Sequence, residues 1–220
     1  AKRIAKDWQR WNDWGVGLTV QGDTAGAARA FAAVRDADPK RPDGWRNLAR
    51  AKLADGDAQG AFELLREADR AEPGNAQTAF FLGQALERLG QLDAALAEYA
   101  KAGDRFPLDR TIHQTRGQIL YRQGRWSDSL RSFLQVLAID PEDRTAHYHR
   151  MLLYRAMAGE SSVAAESAEL ERAATEAEKA FRKFSIDESA QKWTNQFRRD
   201  RPDVNFESQP VHVHTLEIRK

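Results

Sequence analysis

Four prolines and four glycines recur at one interval along this chain. Pro39, Pro73, Pro107 and Pro141 stand 34 residues apart, and so do Gly22, Gly56, Gly90 and Gly124. Two residue types that both punctuate helices, sharing one period at a fixed offset, point to a tandem array of small units. Alanine at about one residue in six, with prolines few, makes those units helical.

Writing the chain in lines of 34 from Trp8, Pro42, Ala76, Arg110 and Arg144 shows what each position is for. Position 8 reads Gly15, Ala49, Gly83, Gly117 and then Met151, and position 20 reads Ala27, Ala61, Ala95 and Ser129. Small residues at both places let two helices approach closely. The large apolar residue at position 24 (Phe31, Leu65, Tyr99, Phe133) fills the space beside them. Each unit therefore reads as a helical hairpin. Its glycine takes the positive φ that ends the first helix, Asp23, Asp57 or Ser127 caps the second, and its proline stops the second and leads into the next unit.

With these positions in hand, the chain resembles a tetratricopeptide repeat array. Repeat 1 carries Trp11, Trp14, Gly15, Leu18, Gly22, Ala27, Phe31 and Pro39 at the family's signature positions, and the likeness runs from Trp8 to Asp143. A fifth repeat is degraded. Its first helix continues through His147 to Met157, Gly159-Glu160-Ser161-Ser162 replaces the short turn, and a long helix follows from about Ser162 to Phe184. The expected organisation is an array over 1–184, with repeats near 8–41, 42–75, 76–109, 110–143 and 144–184. A capping or docking helix at 185–201 and an extended tail at 202–220 complete it. The resemblance implies an all-α, right-handed superhelix, an α-solenoid of about five hairpins, that works by binding protein and not by catalysis.

In that family the inner face is lined by first-helix positions 2, 5, 6, 9, 12 and 13. Here those positions include Asn47 and Arg50 in repeat 2, and Phe80, Phe81, Gln84 and Arg88 in repeat 3. Repeat 4 supplies Gln114, Gln118, Tyr121 and Arg122, and repeat 5 supplies Tyr148, His149 and Arg155. Aromatic rings, amides and arginines together make a surface suited to a peptide, although Phe80 and Phe81 also suit packing between repeats. Some members clamp a C-terminal carboxylate with Lys and Asn at set positions; Asn12 and Val16 stand where two of those belong, so the full clamp is absent.

Both ends carry apolar features that a terminal repeat has to cover. Ile4, Trp8, Trp11, Gly15 and Leu18 form a stripe at the start; Ala190, Trp193, Thr194 and Phe197 form another after Asp187. The segment Val211-His212-Val213-His214-Thr215-Leu216-Glu217-Ile218 alternates like a strand. Ile4, Trp8, Trp11, Trp193, Phe197, Val211 and Val213 are thus candidates for contact between copies. Head-to-tail contacts that do not close build filaments, and a self-assembling subunit is the alternative to a scaffold.

A second, narrower resemblance lies in the flanks. Residues 4–13 (IAKDWQRWND), 187–191 (DESAQ) and 209–214 (QPVHVH) are similar to flanks of repeat regions in some exported bacterial multihaem cytochromes. This implies a periplasmic or extracellular setting, with the cytoplasm as alternative, and a multihaem cytochrome as a candidate partner beside another protein or copies of the chain itself. The start at Ala1-Lys2-Arg3, without Met, suits a processed product or a fragment of a longer polypeptide.

Composition narrows the remainder. The 220 residues contain no cysteine, which removes disulfides, thiolate metal sites and covalent haem attachment. With 34 Lys+Arg against 33 Asp+Glu, nothing in the overall charge draws the chain to nucleic acid, and no apolar run approaches the ~20 residues of a membrane span. The histidines are His113, His147, His149, His212 and His214. None belongs to a nucleophile or metal motif, which leaves helix-surface histidines and neither catalytic residues nor cofactors as the expectation. His212 and His214 share one face of a strand about 7 Å apart, so one ion would reach both only across a bend. None of the five asparagines is followed by Ser or Thr two residues on, so no N-glycosylation sequon is present.

Overall fold

The computed structural model describes residues 8–184. Ile4, Trp193, Phe197, Val211, Val213, His212 and His214, the helix expected at 185–201 and the tail at 202–220 lie outside the described residues. Within them ten α-helices form five hairpins and there is no strand. The chain divides into two compact units, Ala1–Pro107 and Leu108–Lys220.

The first unit contains α1 (Trp8–Val20), α2 (Thr24–Ala37), α3 (Pro42–Ala54), α4 (Ala58–Ala71), α5 (Ala76–Arg88) and α6 (Leu92–Arg105). Each helix packs on the next, and α3 also meets α5. The small residue at position 8 is there for the ring at position 24. A Cβ on Gly15 would stand 2.6 Å from the Phe31 ring, and one on Gly83 would stand 2.8 Å from Tyr99. Phe31 joins Ala27, Leu48 and Ala51 in a core flanked by Val16, Leu18 and Leu64.

The second unit contains α7 (Arg110–Arg122), α8 (Trp126–Ile139), α9 (Arg144–Glu160) and α10 (Ala164–Lys183). Gly117 meets Phe133 as Gly83 meets Tyr99, at 2.8 Å for a built Cβ. Ser129, where other repeats have alanine, is fully buried and donates its hydroxyl to the Gly117 carbonyl at 2.7 Å, so the extra oxygen is satisfied. Phe133, Val136, Ala146 and Leu153 form the core, with Tyr121, Trp126, Leu130 and Leu137 against it.

Turn chemistry follows the period in the first four repeats. Gly22, Gly56, Gly90 and Gly124 have φ of 82°, 86°, 75° and 72°, and the next residue donates back across the turn, as Asp57 does to the Lys52 carbonyl at 2.9 Å. Asp23 and Asp57 each accept the N–H three residues on at 2.8 Å, capping α2 and α4. Ser127 does not cap α8. It lies inside that helix, and the cap position is Arg125, whose side chain bonds none of the helix's N–H groups. Repeat 5 departs as its sequence suggests: α9 is 17 residues long against 13 for the other first helices, and its cap position is Ser161 in place of a positive-φ glycine turn.

The last described helix has a charged outer surface. Glu169 pairs with Arg172 and Glu176 with Lys179 along α10; the apolar stripe expected after Asp187 lies outside the described residues. On the first described helix, by contrast, Trp14 is 53% exposed and Val20 82%.

Candidate functional site

In the first unit, the face made by the first helices carries a row of bonded polar side chains. Asn47 on α3 donates to Asn12 Oδ1 on α1 at 2.6 Å, and its own Oδ1 accepts from Arg50 at 3.2 Å. The Arg50 guanidinium then lies 5.2 Å over the Phe81 ring on α5. Arg46, one helical turn before Arg50, is buried and pairs with Asp43 at 3.0 Å and Glu72 at 3.5 Å. Burial, and then the Arg46 charge, hold Arg50 below the ordinary guanidinium range.

Phe80 and Phe81, expected on the groove, are 7% and 5% exposed. Phe80 sits edge-on to Phe81 and to Tyr99, with centroids 5.5 and 5.6 Å apart. These rings belong to the packing between helices: Phe80 meets Tyr99 of α6, and Phe81 lies under Arg50 of α3. Gln84 is half-buried, and Arg88 reaches back 35 residues to donate to the Leu53 carbonyl at the end of α3. The Leu53 carbonyl also accepts the Gly56 N–H at 3.1 Å, so the Arg88 guanidinium is a further donor at this helix end. Asn12 and Arg46 complete the row. Neither was among the face residues expected from the sequence; the bonds to Asn47, Asp43 and Glu72 show what they do.

In the second unit the same register is aromatic. His149 stacks on Phe133 at 4.4 Å with planes 7° apart, and Tyr121 and Tyr148 meet it edge-on at 5.6 and 5.7 Å. Tyr148, 40% exposed, also leans on Phe181 of α10 at 5.4 Å. Burial pushes His149 below its ordinary value, opposed by the nearby Asp143 carboxylate, and its buried Nδ1 has no hydrogen-bond partner. Gln114 is half-buried, while Gln118 and Arg122 stand exposed on the same helix. Arg155 is committed to Glu178 at 2.6 Å; Arg182 and Arg155 together draw that carboxylate below the usual range.

The described histidines are not surface residues. His113 and His147 are buried, and His147 donates to the Pro141 carbonyl at 2.9 Å, as Trp45 does to Pro39 at 2.8 Å. Position 4 thus ties a repeat to the turn before it. Of the residues expected at an assembly face, Trp8 lies 3.9 Å from the Arg41 guanidinium at the end of its own repeat and Trp11 meets Trp14 edge-on at 5.4 Å. Among the described residues no three His, Asp or Glu side chains gather as metal ligands, and no helix is long and apolar enough to cross a membrane.

Three family models described as tetratricopeptide repeat match residues 13–76, 52–119 and 111–143. Similar solved structures include the crystal structure of MamA, 21% identical with a TM-score of 0.64 over 77% of this chain and 96% of that one. MamA from Desulfovibrio magneticus RS-1, residues 41 to end, is 16% identical with a TM-score of 0.65, covering 78% and 95%. YrrB, described as a TPR protein with an unusual peptide-binding site, is 18% identical with a TM-score of 0.61, covering 76% and 84%. A search of curated protein sequences finds no match.

Proposed function

Because the chain belongs to the tetratricopeptide repeat family, we propose that it is a non-catalytic protein-interaction scaffold whose first-helix faces hold a segment of a partner. The observation that carries this is the row Asn12, Asn47 and Arg50, which crosses successive first helices and ends on Phe81. Amide edges spaced along a row match the repeating donors and acceptors of an extended backbone, and the Arg50 guanidinium favours a partner with acidic side chains. Dodecapeptides displayed on phage and selected on the full chain test it. Enrichment of Asp- and Glu-bearing sequences, lost on Asn47→Ala/Arg50→Ala, supports the reading; equal enrichment on both proteins overturns it.

Export, and a multihaem cytochrome as the partner, extend this proposal, and the flanking sequences support them. Detection of the chain in the periplasmic or culture fraction, and its co-purification with a haem-staining band, are the corresponding measurements.

Stacking of copies head to tail into a filament is a second reading. The exposed Trp14 and Val20 on the first hairpin favour it, since a terminal repeat with an apolar edge gains by covering it. Sedimentation and negative-stain micrographs of the full chain and of Trp14→Glu/Val20→Lys decide it: assemblies that persist in the variant, or their absence in both, reject the reading.

A further inference from the structure

The second unit has an open cleft of about 490 Å³ along the edge where its hairpins turn, away from the first-helix face. Two departures from the repeat build it. The extra turn of α9 raises Met157 and Glu160 into a wall, and Trp126 lines the other side at a position held by Thr24, Ala58 and Leu92 in the repeats before it. The mouth of α10 contributes Glu166.

Charge in this cleft is unbalanced in a specific way. Asp128 is matched by Arg125 at 2.9 Å and Arg131 at 3.3 Å. The other two carboxylates receive only neutral donors: Glu160 accepts the Trp126 indole N–H at 2.7 Å, and Glu166 accepts the Ser161 hydroxyl at 2.8 Å. A carboxylate accepts about four hydrogen bonds, so both keep acceptor capacity facing the cleft. An indole and a methionine beside two such carboxylates suit a long cationic side chain, whose methylene stem lies on the apolar surface while its head reaches the acids.

We propose that this cleft is a second docking site, separate from the first-helix face, and that it takes an arginine or lysine side chain of a basic protein segment. An acidic segment would meet like charge here, and a purely apolar one would leave Glu160 and Glu166 desolvated without a counter-charge. A scaffold built this way engages acidic residues on one face and basic residues on another edge.

The test uses the full-length chain and the acetylated, amidated tetrapeptide Gly-Arg-Arg-Gly, with Gly-Glu-Glu-Gly as control. The indole N–H resonance of Trp126, assigned by its loss in Trp126→Phe, is followed by NMR during titration. The expected result is a saturable shift with the arginine peptide, weakened by salt and absent with the glutamate peptide. Glu160→Gln/Glu166→Gln lowers the affinity about tenfold or more, the loss of charge-assisted bonds, and both exposed substitutions leave the melting temperature unchanged. Arg50→Ala leaves this titration intact, so failure here and failure of the first-helix reading are separate results. No shift up to millimolar peptide, or unaltered affinity in the double glutamine variant, overturns the proposal.

Discussion

The two units place different chemistry at one register. In repeat 2 the first-helix face carries Asn47 and Arg50, tied by hydrogen bonds to Asn12 and resting on Phe81; in repeats 4 and 5 it carries Tyr121, Tyr148 and His149, tied by ring contacts to Phe133 and Phe181. Beneath both lies the same joint, a glycine in one helix against a buried ring in the next: Gly15 on Phe31, Gly83 on Tyr99, Gly117 on Phe133. Close packing at the joint sets the backbone, so the face above it is free to vary. The exception is Phe133, which serves both levels, as the joint of repeat 4 and as the platform for His149.

Removing Phe133 is therefore the sharpest way to separate the units. Phe133→Ala and Phe31→Ala both delete buried rings and each costs about 4 kcal/mol in denaturant unfolding. Phe133→Ala also moves the His149 titration upward toward its ordinary value, as NMR would record, whereas Phe31→Ala leaves it in place. If the His149 titration is unmoved by Phe133→Ala, the aromatic face does not depend on the joint.

Filling the joint comes next. Gly83→Ala forces a Cβ against Tyr99 and costs about 2 kcal/mol despite alanine's better helix propensity, while Met151→Leu, in the repeat that lacks the glycine, costs under about 1.5 kcal/mol as a volume-conserving exchange. Thermal unfolding of the two variants measures the difference, and equal losses would show that repeat 5 packs like the others.

Smaller effects belong to the caps. Asn75 accepts the Thr78 N–H at 3.0 Å, so Asn75→Ala costs about 1 kcal/mol. Gln91 caps α6 with no side-chain bond, and Gln91→Asp recovers a comparable amount. A loss on the second substitution would mean that the turn before α6 cannot accept the aspartate geometry seen before α2 and α4.

The smallest effect is a pH dependence confined to the aromatic face. His149 is held below its unfolded value by burial, so the unfolded chain binds the proton more readily. Stability is then full above about pH 6.5 and declines as pH falls from there toward the depressed folded value. Melting temperatures between pH 7 and pH 5 should fall less in His149→Phe than in the parent. An identical slope would assign the dependence to other groups.

How far these features could be read beforehand depends on what each residue's role depends on. Gly22, Gly56, Gly90 and Gly124 announced their turns because positive φ is a local requirement that few other residues meet. Asn47, Arg50, Tyr148 and His149 were legible as face residues from register alone. Phe80 and Phe81 share that register but are buried, Phe80 against Tyr99 and Phe81 against Phe80 and Arg50, since a residue at the edge of a helix face goes where its neighbours leave room. Ser127 looked like the cap of α8 by residue type, yet the helix begins one residue before it and the cap is Arg125, the place that the period of 34 assigns from Asp23, Asp57 and Gln91.

The sequence by itself determined a helical-hairpin array, its period, the turns and the weakened fifth repeat, because glycine, proline and small-residue spacing act through local backbone conformation and close helix contact. Only the tertiary structure decided which rings are core and which are face, that Arg46 is buried between two carboxylates, and that the longer α9 opens a cleft beside Trp126. Those outcomes rest on the space and charge supplied by residues from neighbouring helices, up to 35 positions away in the chain, and pairwise partners at that distance are not written in any one segment.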